Sequence, residues 1–372
     1  MPKETASGEL RVALVPEVVA KLTAAGHEVV VQEGAGDGAL IPDHQYTDAG
    51  ATLALGAAEV FGAELVVKVA PPSDDEVALL GPSSTLIGFL APLTNGAGIT
   101  ALAGSGATSF AMEAIPRISR AQAMDALSSQ ANIAGYRAAL IGAQELGRFF
   151  PMLMTAAGTV RPATVLVLGA GVAGLQAIAT ARRLGAVVQG FDVRSAVKEQ
   201  VESLGAKFLE FDLGGDLEGA GGYAKELTPE QQARQQELMA EAIGKCDVVI
   251  TTALVPGRRA PILVTERAVE LMKPGSVIVD LAGEQGGNCE LSVPGEIVIR
   301  HGVKITAPLN VPSTLAEHAS SLYAKNIQAL LGLMLGEDGA LHLDFEDEVI
   351  AGACITRAGE IVHEGARAAA AA

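Results

Sequence analysis

The chain has 372 residues, is nearly half apolar, rich in Ala and Gly, without Trp, and carries a formal net charge of −17. That length predicts about two domains, and that composition predicts an α/β protein with close helix–sheet contacts. The charge excludes nucleic acid as a natural partner, because phosphate is repelled, and leaves a basic protein surface as a fitting one.

The opening stretch "MPKETASGELRVALVPE" mixes charges and lacks an apolar run, so no signal peptide is expected. "GHEVVVQEGAG", "ELVVKVAPP", "TLIGFLAPL" and "ATSFAMEAI" read as strands, each bounded by Gly, Pro or Asn. From Val77 to Met112 there is no charge at all. Pro82, Pro92 and Asn95 interrupt that run, so it reads as strands and turns rather than a membrane span. Strands alternating with helical patterns predict a mostly parallel sheet.

From Ala121 to about Phe150 apolar residues recur at helical spacing without Pro, and one long helix is expected there. "FFPMLMTAAGTVRP" marks its end. A second α/β series follows, with strands expected in "TVLVLGAG", "AVVQGFDV", "AKFLEF", "DVVITTAL", "SVIVDLA" and "VKITAP". The connection "DLGGDLEGAGGYAKELTPEQQARQQ" is long for this architecture and reads as a lid, or else as a disordered insert. A second long helix is expected in "STLAEHASSLYAKNIQALLGLML", capped by Ser313 or Thr314 with Glu317 completing a capping box. "EVIAGACITRAGEIV" reads as a hairpin and "ARAAAAA" as a frayed tail.

Two long helices thus bracket the second series. The predicted architecture is two Rossmann-like domains with mostly parallel sheets, joined by those helices. One domain is built from residues 1–125 and 312–372, the other from 126–311, with the site expected in the cleft between them. Cys246, Cys289 and Cys354 are far apart, which argues against disulfides and zinc and for a reducing compartment. The scattered His residues form no metal constellation, and His318 reads as a helix-surface or core residue.

The most specific chemistry is in "TVLVLGAGVAGLQAIATARRLGAVVQGFDVR". An apolar run leads into Gly169-Ala170-Gly171-Val172-Ala173-Gly174, and a helical pattern follows. The first Gly allows a tight turn, the second lets backbone approach a pyrophosphate, and the third lets helix and strand pack closely. The new helix offers free N–H groups and a positive dipole end. Asp192 ends the next strand, where a carboxylate accepts both adenosine ribose hydroxyls and repels a 2′-phosphate. NAD is therefore expected over NADP, although Arg194 is placed to accept such a phosphate.

These residues resemble the NAD(H)-binding component, domain I, of proton-translocating nicotinamide nucleotide transhydrogenase, in the superfamily shared with alanine dehydrogenases. The resemblance covers nearly the whole chain. "RVALVPEVVAKLTAAGHEVVVQEGAG", "RISRAQAMDALSSQANIAGYRA", "DLAGEQGGNCE" and "LNVPSTLAEHASSLYAKN" carry it, the second most specifically. It implies two Rossmann-like domains, a homodimer and bound NAD(H). It also implies direct hydride transfer to NADP on a partner domain, with membrane-embedded partner subunits moving protons. The chain itself is then cytoplasmic and peripheral to the inner membrane, with no membrane insertion of its own.

Residue by residue, the resemblance gives Arg117, Gln122, Asp125 and Ser128 to the nicotinamide end and the reaction, with Ile118, Ser119 and Arg120 in the same loop. Gly169, Ala170, Gly171, Val172 and Gly174 match the pyrophosphate cradle, and Asp192, Val193 and Arg194 the adenosine end. Gly222 and Tyr223 match a mobile loop that closes over the nucleotide, and Gln235 and Leu254 match further contacts. No metal is expected. The residue chemistry agrees, because hydride transfer between two nicotinamides needs two rings held close and dry and no general acid or base. Amides and hydroxyls orient a carboxamide without titrating, although the same groups also satisfy helix ends and backbone.

Two other functions compete. An alanine dehydrogenase moves a proton as well as a hydride, and Arg11 and Lys68 match residues serving the oxo acid there. This chain, however, has Ala91 where that enzyme's His is expected and Glu284 where its Asp is expected. A non-catalytic NAD-binding module would use the same fold but needs no polar loop at the nicotinamide end.

Overall fold

The computed structural model describes residues 1–211, 229–336 and 339–371. The chain forms two compact units, Met1–Gln130 with Pro312–Ala372, and Ala131–Val311. Five helices recur below: α1 (Ala126–Glu145), α2 (Val172–Arg183), α3 (Pro229–Gly244), α4 (Ala316–Met334) and α5 (Glu348–Ala353).

In the first unit, β1 (Val30–Gln32) and β2 (Thr52–Ala54) form a parallel pair. A separate five-stranded sheet holds β3 (Leu65–Val67), β4 (Thr85–Gly88) and β5 (Thr108–Ala111) in parallel. Its other edge is the antiparallel hairpin Cys354–Arg357/Glu360–Ile361. The charge-free run therefore folds into β4 and β5 and the helix Gly96–Ser105, with Leu86, Ile87, Ile99, Leu102 and Phe110 buried. Among the described residues no helix is long and apolar enough to cross a membrane.

In the second unit, β6 (Leu153–Thr155) and β7 (Gly158–Val160) form a small antiparallel hairpin. The main sheet comprises β8 (Thr164–Leu168), β9 (Val187–Phe191), β10 (Lys207–Phe208), β11 (Val248–Thr251), β12 (Val277–Asp280), β13 (Ile297–Arg300) and β14 (Val303–Thr306). Its order is β10-β9-β8-β11-β12-β14-β13, parallel except for β13. The chain reverses direction across the sheet between β8 and β11, and a doubly wound sheet opens its ligand crevice at such a point. β8, β11 and β12 are buried on both faces, as central parallel strands require.

The structure corrects several sequence expectations. The helix expected from Ala121 to about Phe150 is instead a 3₁₀ turn, Ser119–Met124, followed by α1. Asp125 breaks the run. Its Oδ1 accepts the Ser128 N–H at 2.8 Å and its Oδ2 accepts the Ser128 hydroxyl at 2.6 Å, which is N-cap behaviour. At the other end Lys304 Nζ donates to the Glu145 carbonyl at 3.2 Å and to its carboxylate at 2.8 Å, closing α1 where orphan carbonyls need a donor.

α4 starts at Ala316, and its N-cap position is Leu315, which supplies no side-chain cap. Ser313 Oγ accepts the Leu10 N–H at 2.7 Å and donates to the Gly8 carbonyl at 2.8 Å. "EVIAGA" is helix α5, and only the residues after it form the hairpin. The tail is not frayed either. Glu364–Ala370 is helical, with His363 Nδ1 accepting the Ala366 N–H at 3.2 Å and Ala366 buried. It lies so close to Gly96 that a Cβ there would come within 2.2 Å of the Ala369 carbonyl. The amide-rich end of the long connection after β10 is helical as well, being the start of α3.

Candidate functional site

The cradle in the second unit grows out of β8. Gly169 follows the strand at φ +98, a left-handed conformation that favours Gly. A Cβ on Gly174 would lie 1.8 Å from the Gly169 carbonyl, so that position must lack one for α2 to start against the strand. Gly171 caps α2, and the space where its Cβ would stand has no atom within 4 Å. That opening, at the N-terminus of a 12-residue helix, fits a pyrophosphate. The far side of the turn is braced by Thr252, whose hydroxyl donates to the Leu168 and Gly169 carbonyls at 3.3 and 3.2 Å.

Asp192 follows β9. Its Oδ2 accepts the Ala170 N–H at 2.7 Å, linking the strand-end carboxylate to the glycine turn. Arg194 Nε and NH2 reach Oδ1 and Oδ2, both at 2.9 Å. Partial burial works to raise the Asp192 pKa, but the Arg194 guanidinium and the two backbone N–H donors outweigh it and hold the carboxyl below its usual range. Arg194 is thereby paired with Asp192.

Three apolar side chains stand exposed past strand ends: Val172 after β8, Val193 after β9 and Leu254 after β11. Each offers a surface that a bound nucleotide can cover. Gln235 is half-buried on α3. Gly222 and Tyr223 lie outside the described residues.

The amide-rich stretch resolves into two sets. Ser129 Oγ donates to Asn326 Oδ1 at 2.7 Å. Gln130 donates to the Ala319 carbonyl at 3.1 Å and accepts from Arg11 NH1 at 2.9 Å. These side chains tie α1 to α4 and to the chain start within the first unit. Ser128 is turned onto Asp125. Arg120 is engaged bidentately with Asp347, NH1 and NH2 each at 2.9 Å. Ile118 packs against the core, and Ser119 is exposed. Arg117 and Gln122, like Ser119, are exposed with no side-chain hydrogen-bond or ion-pair partner among the described residues, but they are the long polar side chains of the three.

The cations that would serve an oxo acid are internally neutralised. Lys68 Nζ lies 2.9 Å from Glu76 and 3.3 Å from Glu4, all buried. Arg11 is paired with Glu9 at 2.6 Å and with Gln130. Ala91, at φ +52, brings no imidazole. Glu284 is exposed and accepts the Asn310 N–H at 2.6 Å. His318 is exposed on α4.

Sequence reasoning missed the scaffold under Leu254. The Asn288 side chain accepts the Ala253 N–H at 3.0 Å and donates to the Ala253 and Pro261 carbonyls at 2.9 and 2.8 Å. Buried Asp280 in turn accepts from Thr251, Ala282, Asn288, Cys289 and Ser292. The polar "DLAGEQGGNCE" was the available signal, but its partners Thr251, Ala253 and Pro261 lie 27 to 35 residues away. On the surface, Glu266, Glu270 and His301 bring donor atoms within 4.8 Å of one another. All three already pair with protein groups, His301 with Glu266 and Glu270 with Arg267.

The sheet order, glycine turn and strand-end carboxylate define a Rossmann-type dinucleotide-binding protein. Similarity to known proteins narrows this class. Residues 1–134 match the model for the alanine dehydrogenase/PNT N-terminal domain and residues 138–364 that for the C-terminal domain. The chain belongs to the alanine dehydrogenase/PNT family. It is 54% identical to an NAD(P) transhydrogenase subunit alpha chain of Rhodospirillum rubrum, over 98% of this chain and 97% of the relative. It superimposes on a solved transhydrogenase from Sinorhizobium meliloti with a TM-score of 0.85 and 47% identity, covering 97% and 98% of the two chains. An alanine dehydrogenase of Mycolicibacterium smegmatis is more distant, 37% identical over 79% of this chain and 74% of its own length. The chain therefore stands on the transhydrogenase side of the family.

Proposed function

We propose that the chain is the NAD(H)-binding component of a proton-translocating transhydrogenase and takes part in direct hydride transfer between NADH and NADP held on a partner domain. The observation that carries the mechanism is that two long polar side chains, Arg117 and Gln122, are exposed without a partner among the described residues, on a loop that Arg120, Asp125 and Ser129 anchor. Bound NADH supplies the hydride. The glycine turn and Asp192 hold the pyrophosphate and ribose. Arg117, Gln122, Asp125 and Ser128 are assigned to the nicotinamide end, where Gln122 aligns a carboxamide without offering a titrating group. Ile118 and Ser119 shape that loop, and Val193, Gln235 and Leu254 flank the nucleotide. Gly222 and Tyr223 are assigned to the nucleotide site as well.

The neutralised Lys68 and Arg11, and Ala91 in place of an imidazole, weigh against an alanine dehydrogenase. In this reading, membrane-embedded partner subunits carry the protons, and the chain sits at the cytoplasmic face of the inner membrane through them. A second copy is the partner assigned to the β6–β7 hairpin. Two three-residue strands are not stable alone, and Phe149, Met152, Met154 and Val160 all stand exposed there. Mixing the chain with an NADP-binding partner domain and following transfer from NADH to an NADP analogue tests the proposal. Tight NADH binding with no transfer would leave a non-catalytic nucleotide-binding module instead.

A further inference from the structure

We infer that Arg120 is a positioning residue, whose two-pronged ion pair with Asp347 holds the Ser119–Met124 turn, and with it Arg117 and Gln122, in the geometry hydride transfer requires. The inference rests on the reaction proposed above. A 3₁₀ run of six residues is longer than such turns usually sustain, and this one has no side-chain cap among the described residues. It therefore depends on ties to other elements. Two of these are internal: Ala121 and Met124 are buried in the core, and Asn326 Nδ2 donates to the Ala123 carbonyl at 2.7 Å. The third is at the outer edge. Arg120 NH1 and NH2 meet Asp347 Oδ2 and Oδ1 at 2.9 Å each, and Nε approaches Glu348 at 3.4 Å.

Asp347 is itself fixed. Its Oδ1 accepts the Val349 N–H at 2.8 Å and the Ile350 N–H at 3.4 Å, capping α5, whose Val349, Ile350 and Ala353 are buried. The fork geometry of guanidinium on carboxylate specifies direction as well as attraction. Both side chains are partly solvated, 43% and 24% exposed, and exposed ion pairs contribute little to global stability. What the pair supplies is orientation of the turn between Arg117 and Gln122. Because NH1 and NH2 are both turned onto Asp347, the role inferred for Arg120 runs through Asp347 and not through the nucleotide.

The test uses the full chain with Arg120→Ala, Arg120→Lys, Asp347→Asn and the double variant Arg120→Ala/Asp347→Asn. Asp347→Asn keeps an oxygen for the Val349 and Ile350 N–H groups. Single-turnover transfer from NADH to an NADP analogue, with partner domain present, is read beside NADH affinity and amide exchange over residues 119–124. Arg120→Ala and Asp347→Asn should each slow transfer about tenfold while NADH affinity changes less than about twofold. The double variant should be no slower than either single one, Arg120→Lys should recover some of the rate, and exchange over 119–124 should quicken. Unchanged transfer, additive losses, or affinity falling in step with rate would overturn the inference. A wild-type chain that binds NADH but transfers nothing would overturn the reaction itself, an outcome separable from the other three.

Discussion

Asp192 and Arg194 form a bidentate ion pair, so the carboxylate proposed to read the ribose hydroxyls holds the neighbouring cation. The same carboxylate is held against the glycine turn through the Ala170 N–H. In the proposed function, discrimination between nucleotides is then a property of the pair, and replacing one partner should change what the other can do.

The wild-type chain should bind NADH far more tightly than NADPH. Asp192→Asn removes the repulsive charge and frees Arg194, so NADPH affinity should rise about tenfold and NADH affinity should fall. Adding Arg194→Ala should abolish the NADPH gain. Equilibrium titration by nucleotide fluorescence measures all three. A ratio that does not move in Asp192→Asn would remove Asp192 as the discriminator.

The cradle was legible in the sequence because strand, turn, helix and carboxylate lie within one contiguous stretch, and each glycine answers a local steric demand. The six strands of the second series were legible as apolar runs. β13 was not, because its edge position leaves Ile297 and Ile299 exposed. It is joined to β14 by the turn His301–Gly302, with φ +50 and +77, and His in place of Asn or Asp hides that turn type. The break at Asp125 was hidden by apolar spacing that continues through it. The partners of Ser129 and Arg120, Asn326 and Asp347, lie 197 and 227 residues away, beyond any local pattern. The Ala-rich tail has no periodicity to read, yet its small side chains are what let it approach Gly96.

Glu113 should make stability depend on pH. Its Oε1 accepts the Leu90 and Ala91 N–H groups at 2.9 and 2.6 Å, while Oε2 is buried without a partner among the described residues. Burial raises its pKa, and the backbone donors offset this only partly. Below the ordinary Glu value of about 4.3 both folded and unfolded states hold the proton, and no penalty exists. Above it the unfolded chain ionises first, so the native state loses stability until pH passes the raised folded value. Glu113→Gln removes that loss. Its melting temperature relative to wild type should increase by about 2 °C between pH 4 and pH 7. A difference that stays flat across that range would show that Glu113 ionises in the fold as it does in water.

The β6–β7 hairpin is expected to hold two copies together. Met154 is 77% exposed, so Met154→Asp costs the isolated chain little packing but places a charge in an apolar contact. Light scattering should show a wild-type dimer and a monomeric variant with unchanged far-ultraviolet circular dichroism. A variant that remains dimeric would move the interface elsewhere.

Gln122 separates binding from reaction. It is exposed, lies in the turn fixed by Ala121, Met124, Asn326 and Arg120, and forms no side-chain bond of its own among the described residues. Ser129 and Gln130, by contrast, are engaged with Asn326, Ala319 and Arg11, so losing either would disturb the first unit itself. Removing the Gln122 amide takes nothing from the fold. An interaction made mainly in the transition state, when removed, lowers the rate and spares ground-state binding. Gln122→Ala should therefore slow single-turnover transfer at least about tenfold, with NADH affinity within about twofold. Arg117→Ala should impair both, since a cation that steers the nucleotide also holds it. If Gln122→Ala transfers hydride at the wild-type rate, alignment of the reacting pair resides in other residues, and Gln122 is simply an exposed side chain of the turn.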